Sequence, residues 1–230
     1  MISRYSLTAD ATTVSQRFTV DPTPAYEMIY NAAPAQLLPV MTQESPNGMS
    51  FFFWGAPPAW ARNRPLGERL INTHTEHLSG KPAIRKMLKK QRCLVPADGF
   101  FIWKRIGKKA SVPYRFTLPD KSPFGMAGLW EEYEDEQNVP HHTFSLITAP
   151  SSPSVFDYSE RMPAILTPEQ ERLWLSEDDK DDWPSLLSAC PFELVHYSVS
   201  TMVNDPARND KRVVLPAPAA DQFGNLTLFD

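Results

Sequence analysis

The sequence predicts an α+β protein, a single domain built on a curved or barrel-like, mainly antiparallel β-sheet with a few short helices. Three observations carry this. Short runs rich in β-branched and aromatic residues recur along the chain, broken by Gly, Pro and Asp clusters. Helical spacing is confined to a few brief segments. The 230 residues include 23 prolines against nine glycines, scattered so that long elements, and a helical bundle with them, are excluded. A hydrophobic content of 42% with 22% charged residues belongs to a folded globular chain. No internal repeat or linker divides residues 1–230, which read as one domain.

Taken in order, Asp10 to Phe18 reads as a short helix, with Val14 and Phe18 four apart on one face. Residues 49–54, containing Phe51-Phe52-Phe53-Trp54, read as a strand ended by Pro57-Pro58. Lys81 to Lys90 is a better helix, with Pro82 near its first turn and an apolar stripe of Ile84, Met87 and Leu88. Strand-like runs follow at 92–95, 99–104, 113–118, 124–130, 142–148 and 193–199. Thr167-Pro168-Glu169-Gln170 is a capping box that opens a helix through Leu175. Asp181 to Ala189 suggests another short helix, and Gln222 to Phe229 a closing strand.

Several function classes drop out. No stretch approaches the roughly 18 apolar residues of a membrane span, and the polar N-terminus lacks a secretory signal. Cys93 and Cys190 are far apart and form neither a disulfide framework nor a metal clasp, which points to the reducing cytoplasm. The formal charge of −4 argues against coating nucleic acid by bulk charge. Charge is segregated, however. Arg85, Lys86, Lys89, Lys90 and Arg92 crowd one segment, Lys104, Arg105, Lys108 and Lys109 follow, and acid collects in 131–136 and 177–182. The basic segments fit either a phosphate-binding face or a solvated helix face. There is no G-x-G-x-x-G, P-loop, H-E-x-x-H or G-x-S-x-G motif. His74 and His77 have a metal-like spacing to which His141-His142 could add ligands, but a zinc site fixes three or four ligands at better-defined spacing and no cysteine partner is present, so no metal and no cofactor are expected. Cys93, in Cys-Leu-Val-Pro, reads as a packed strand residue.

Several segments in order resemble the SOS-response-associated peptidase (SRAP) family. They are Met1-Ile2-Ser3-Arg4-Tyr5, Tyr30-Asn31-Ala32-Ala33-Pro34, Trp54-Gly55-Ala56-Pro57-Pro58-Ala59-Trp60 and Leu70-Ile71-Asn72. They continue with Arg92 to Phe100, Ala127-Gly128-Leu129-Trp130, Arg161-Met162-Pro163 and Val199-Ser200-Thr201, spanning about residues 1–209 and leaving 210–230 as an extension or closing strand. The resemblance implies a single-domain, β-rich protein linked to the SOS response, often phage-borne, that binds single-stranded DNA and senses abasic sites. In the family an N-terminal cysteine, exposed by methionine removal, offers an amine and a thiol. The amine forms a Schiff base with the abasic aldehyde and the thiol closes a thiazolidine, leaving a protein–DNA cross-link. A glutamate and a histidine serve as acid/base groups and an asparagine positions the sugar.

This chain departs at those positions. Ile2 stands for the cysteine and Ser3 for the glycine after it, Ile102 for the glutamate, and Ser159 for the histidine; Asn72 alone is retained. Isoleucine at position two also disfavours methionine removal, leaving the amine on Met1. His74 replaces a family arginine. The binding residues carried over from the resemblance are Arg4, Asn31, Trp54, Asn72, His74 and Arg161. Arginines suit phosphates through bidentate contacts. Trp54 fits base stacking or the core equally well, and Asn31 fits either the DNA cleft or a turn. Arg4, in a short polar terminus, has little reason to be buried. The expectation is a catalytically degenerate member that binds single-stranded or abasic DNA noncovalently. The alternatives are a divergent hydrolase or amine-based lyase, and a protein-interaction module whose old cleft holds an unknown partner.

Overall fold

Caps encoded in the sequence start the helices. The Asp10 carboxylate accepts from the Thr13 N–H at 2.8 Å and opens α1 (Ala11–Phe18), which ends at Thr19 in the left-handed region. Thr167 and Gln170 form the expected reciprocal box, at 3.2 and 2.9 Å, at the start of α4 (Pro168–Leu175). The computed structural model describes residues 1–21, 23–55, 71–80, 82–134, 137–177, 182–187 and 190–227. Ala56 to Leu70, including Pro57-Pro58 and Trp60 of the family-like motif, lie outside the described residues, as do Lys81 and parts of the segments read at 181–189 and 222–229.

The strands are β1 (Tyr5–Leu7), β2 (Ile29–Ala32), β3 (Leu37–Thr42), β4 (Ser45–Trp54), β5 (Asn72–His74), β6 (Arg92–Ala97) and β7 (Gly99–Arg105), then β8 (Ser111–Thr117), β9 (Phe124–Glu134), β10 (Pro140–Pro150), β11 (Arg161–Pro163), β12 (Ile165–Leu166) and β13 (Val195–Ser198). The other helices are α2 (Pro82–Lys90), α3 (Pro153–Phe156) and α5 (Trp183–Leu187). Strands β4, β3, β6, β9 and β10 pair in turn, and β10 returns to β4, so they close a five-stranded barrel. Only the β4–β10 seam of that ring is parallel. A second sheet runs β13–β8–β7–β1–β2, all antiparallel. The α+β architecture with a barrel-like sheet is as the sequence predicts. No helix among the described residues is long and apolar enough to cross a membrane.

Strand β6 shows how the core divides. All six of its residues are buried. Cys93 and Val95 join a cluster with Tyr5, Trp54, Phe100 and Phe144 between the sheets. Leu94 faces the other way, into a cluster with Ile84, Met87 and Leu88 of α2, Trp174 of α4 and Trp183 of α5. Two-sided burial of a strand follows from the pleat. Arg92, counted above with the basic segment, is wholly buried on the helix side. Its guanidinium donates to the carbonyls of Leu88, Trp174 and Ser176, closing the C-terminal ends of α2 and α4, and lies 4.6 Å from the Trp183 ring. The remaining basic residues of α2, Arg85, Lys86, Lys89 and Lys90, form its exposed face.

Three differences from expectation have local causes. Strands β1, β2 and β3 carry too little alternation to be read: β1 has three residues, all buried, and β3 holds Pro39 in a run buried from Leu38 onward. The C-terminal run is a turn rather than a strand through Thr227. Asp221 accepts from the N–H groups of Phe223 and Asn225, and pairing is reduced to one bridge between Ala220 and Leu226. The run at 193–199 narrows to four residues because Glu193 and Leu194 precede the pairing with β8.

Short β1 is held by side chains rather than by length. Asp98, buried between β6 and β7, accepts from Ser6 Oγ at 2.8 Å and Thr8 Oγ1 at 2.6 Å. Arg115 of β8 closes the network with Nη2 2.7 Å from Asp98 Oδ1 and 2.9 Å from Ser6 Oγ. Its Nη1 donates to Tyr197 Oη at 2.8 Å, which donates to the Val214 carbonyl. The pair needs Gly99: a Cβ there would stand 2.7 Å from Arg115 Nε and 3.0 Å from the Phe116 carbonyl oxygen. Asp98→Ala leaves Arg115 buried and unpaired, so it should destabilise the fold by about 3–5 kcal/mol. A denaturant midpoint matching wild type would show that this network does not hold the N-terminal strand.

Candidate nucleic-acid interface

The anchored β1 fixes where residues 1–4 emerge, and β5, β10 and β11 build the wall beside them. In the register of these strands Leu146 lies opposite Asn72, Thr148 opposite His74, and Pro150 opposite Arg161. Asn72 is buried, and its Nδ2 donates to the Ile2 carbonyl at 2.7 Å. Its Oδ1 is buried without a hydrogen-bond partner among the described residues. Ile2 is completely buried and shares one apolar cluster with Ile102 of β7, itself 5% exposed. Met1 projects into solvent.

A cleft of about 490 Å³ opens at this point. Met1, Lys104, Arg105, Tyr158, Ser159 and Arg161 line it, with the exposed carboxylates of Asp157 and Glu160 on one side. The structure therefore brings Ser159 and Arg161 to the cleft beside the N-terminus, with Asn72 holding the adjoining backbone. Ser159 Oγ donates to the Arg161 carbonyl at 2.7 Å and accepts from the Arg161 N–H at 3.2 Å, so its hydroxyl shapes the turn into β11.

Arg161 is heavily engaged. Its Nη1 and Nη2 meet Glu76 Oε1 and Oε2 at 2.8 and 2.9 Å, and Nε donates to Thr148 Oγ1 at 3.2 Å. The bidentate hydrogen bonds hold the Glu76 carboxyl down to about 2. His74 is half-buried and stacks on His77 with ring centroids 5.3 Å apart. Burial first, then the neighbouring Arg161 guanidinium, lowers its pKa from the ordinary histidine value. Stacked face to face, these two rings do not converge on a metal. His142 lies elsewhere, stacked on Phe52 and 3.2 Å from Glu132, while His141 stacks on Tyr133.

The other three predicted binding positions sit differently. Arg4 is half-buried, contrary to the exposure its polar surroundings suggest: Nη1 donates to the Ser3 carbonyl at 2.7 Å, and burial lowers the guanidinium pKa. Trp54 is fully buried, donates to the Ile71 carbonyl at 3.0 Å and packs against Tyr5 and Phe144, so no ring face is open to a base. Asn31 is 1% exposed and donates to the carbonyls of Val203 and Asp205, tying β2 to a distant loop. For both, the packing role is the one the structure displays. Neither cysteine reaches the cleft; Cys93 is buried, with its thiol pushed well up by desolvation.

In the sequence Lys104 reads only as part of a basic segment, and two features of the cleft emerge with the fold. Lys104 follows Ile102 by two residues and so shares its face of β7, a signal that strand alternation offers. Its Nζ stands 4.4 Å from the centre of the Tyr158 ring, and Tyr158 Oη is 2.6 Å from His196 Nε2. Glu76, the partner of Arg161, carries no local signal, because the two are 85 residues apart. Chemically, the described lining offers the cations of Lys104, Arg105 and Arg161, the hydroxyls of Tyr158 and Ser159, and the carboxylates of Asp157 and Glu160.

The profile of the family described as SOS response associated peptidase (SRAP) matches residues 1–206. A Bacillus subtilis relative, abasic site processing protein YoqW, is 34% identical over 223 residues, which cover 93% of this chain and 99% of the relative. The Escherichia coli abasic site processing protein YedK is 27% identical over 150 residues, 65% of each chain. A solved structure of a Bacteroides thetaiotaomicron protein superposes with a TM-score of 0.78 at 28% identity, covering 93% of this chain and 99% of that one. Profile and identity extend across both sheets and the cleft between the N-terminus and β11, and the chain belongs to the SOS response associated peptidase (SRAP) family.

Proposed function

We propose that this protein binds single-stranded DNA at abasic sites and holds it noncovalently, as a member of the SOS-linked family that has lost the cross-linking chemistry. The observation that carries this is the state of Ile2. Its side chain is sealed in the core and its carbonyl is pinned by Asn72, while the cationic cleft beside it stays open. Isoleucine has no thiol to trap an imine, Ile102 has no proton to exchange, and Ser159 is committed to the Arg161 backbone. Support for DNA as the ligand comes from the relatives named abasic site processing proteins and from the Lys104 and Arg105 cations at the cleft. A second reading, an amine-based lyase, draws on Met1 and Lys104 lining the same cleft. Borohydride trapping of an abasic oligonucleotide on the protein would favour that reading instead.

Three outcomes are expected. With a single-stranded oligonucleotide holding one abasic site, the protein should shift a native gel but leave no band that survives denaturation. A denaturation-resistant adduct formed without reductant would overturn the degenerate reading.

Binding should also be tuned by the Arg161–Glu76 pair. Glu76→Gln removes a negative charge beside the cleft and frees the guanidinium for phosphate. Affinity at low salt should rise several-fold, and the slope of log affinity against log salt should steepen by about 0.7 if one more phosphate is neutralised. An unchanged affinity and slope would mean that the strand does not pass Arg161.

Finally, the chemistry should be restorable. Ile2→Cys with Ser3→Gly, expressed so that the cysteine becomes the first residue, should capture abasic DNA slowly. Adding Ile102→Glu and Ser159→His should speed capture by about 10²–10⁴. Circular dichroism must accompany the kinetics, because a carboxylate at the nearly buried Ile102 position needs a partner. A folded quadruple variant that captures nothing would show that the cleft no longer admits a DNA strand.

A further inference from the structure

The helix side of the barrel carries a second cavity, of about 440 Å³, between the end of α1, α4 and the turn that joins β3 to β4. Met41 of β3, Leu94 of β6 and Leu175 of α4 form its floor, and all three belong to the apolar cluster under the helices. Ile2 and Ile102, beside the cleft described above, belong to the cluster between the sheets, so strand alternation puts the two cavities on different faces. The floor residues are 1%, 2% and 8% exposed, which makes the cavity a crevice with an apolar bottom. Phe18, half-buried, lines one wall, with the Arg17 guanidinium 4.6 Å from its ring centre. Arg17 is fixed by the buried Glu171 through hydrogen bonds at 2.9 and 2.7 Å, and by the Pro123 carbonyl at 2.9 Å. Glu171 Oε1 also accepts from the Gly125 N–H at 2.9 Å. A Cβ at Gly125 would stand 2.6 Å from Leu94 Cδ1 and 2.8 Å from Glu171 Oε1, so glycine is what lets floor and ion pair meet. Arg172, next on α4, is exposed in the lining and makes no ion pair among the described residues. Two guanidiniums against one carboxylate leave the described lining with one positive charge in excess.

From this arrangement we propose that the crevice binds a small anionic amphiphile, a single carboxylate or sulfonate on an apolar body, with its head on Arg172 and its body over Met41, Leu94 and Leu175. The volume lies within the range of small-molecule sites, and an apolar floor with a few placed polar groups is their usual construction. Arg17 is spent on Glu171, so Arg172 is the cation left to a ligand, and one cation matches one anionic group. The unbranched thioether of Met41 lets the floor adapt to bodies of different outline. A nucleic-acid strand would bring several phosphates to one free cation and would leave the apolar floor uncovered. The inference stands apart from the DNA-binding function proposed above, because it uses neither that cleft nor its residues.

The test uses the full chain and two fluorescent probes, anilinonaphthalene sulfonate and its uncharged parent phenyl-naphthylamine. The sulfonate should saturate at one molecule per chain, and the thermal midpoint should rise with its concentration, as it does for a ligand that binds the folded state. Arg172→Gln should weaken the sulfonate by about 2- to 5-fold, the range for an ion pair at an exposed site, and leave the uncharged probe unchanged. Arg172→Lys, which keeps the charge, should restore the affinity. Asn47 is exposed in the lining, and Asn47→Phe, which sets a ring at the mouth, should abolish binding of both probes, with circular dichroism confirming the fold. Excess single-stranded oligonucleotide should not displace the sulfonate. If wild type binds no sulfonate, or its midpoint falls as the probe is added, the crevice is not a ligand site. If Arg172→Gln and Asn47→Phe both bind the sulfonate as wild type does, or the oligonucleotide displaces it, the probe sits elsewhere and the inference is wrong. A wild-type protein that binds the sulfonate but no oligonucleotide would remove the proposed function and leave this inference standing.

Discussion

The buried contact between Asp98 and Arg115 is the constraint on which the functional end of the molecule depends. Taking two charges out of water costs several kcal/mol per ion, and their attraction offsets this only when the remaining hydrogen-bonding groups are also satisfied. Ser6, Thr8 and Tyr197 meet that demand. Through them three short or peripheral elements, β1, β13 and the segment near Val214, are tied to the β7–β8 hairpin. A three-residue strand cannot hold a register by its backbone alone. With Ser6 and Thr8 clamped, the residues before them have one exit, over β5 and beside β11. Ile2 and Met1 therefore arrive at the cleft by position, whatever chemistry they carry.

Local packing accounts for Ile2, Ile102 and Ser159 together. Ile2 and Ile102 belong to the same apolar cluster, so a carboxylate at 102 without an ionic or hydrogen-bonding partner would be a buried unpaired group. Isoleucine at both positions fills this part of the core with apolar volume. Ser159 has settled into a local turn with Arg161. Outside this cluster the cleft carries Lys104 and Arg105, with Arg161 held in place by Glu76 and Thr148, beside the carboxylates of Asp157 and Glu160. Apolar packing at Ile2 and Ile102 thus adjoins a cleft whose cations stand at the surface.

Buried arginines divide the basic residues into those that fold the chain and those that can act outside it. Arg92 and Arg115 are 0% and 4% exposed, one satisfied by helix-end carbonyls and the other by a carboxylate network. Arg92 closes the ends of α2 and α4, so the basic face of α2 is presented outward on a helix whose other side is locked to the barrel. Charge counts along the sequence cannot make this division, because a guanidinium is equally suited to capping carbonyls and to binding phosphate.

Local features of the chain specify the α+β class, the helix starts at Asp10 and Thr167, the apolar stripe of α2 and most of the longer strands. These rest on period, caps and turn residues acting within a few positions. The family-like segments also supplied Asn72, Ser159 and Arg161 as site positions; in the structure Asn72 bonds to the Ile2 carbonyl, and Ser159 and Arg161 line the cleft with Met1. The rest depends on residues that distant strands bring together. Whether Trp54 meets a base or the core depends on Tyr5 and Phe144, which arrive from other strands. Whether Arg161 is free depends on Glu76, and whether Asn31 faces a cleft depends on carbonyls more than 170 residues away. Barrel closure through the parallel β4–β10 seam, and the meeting of Lys104, Tyr158 and His196 across β7, β13 and an intervening loop, have the same origin. Periodicity reports which face a side chain occupies; only the packing of distant strands determines what that face meets.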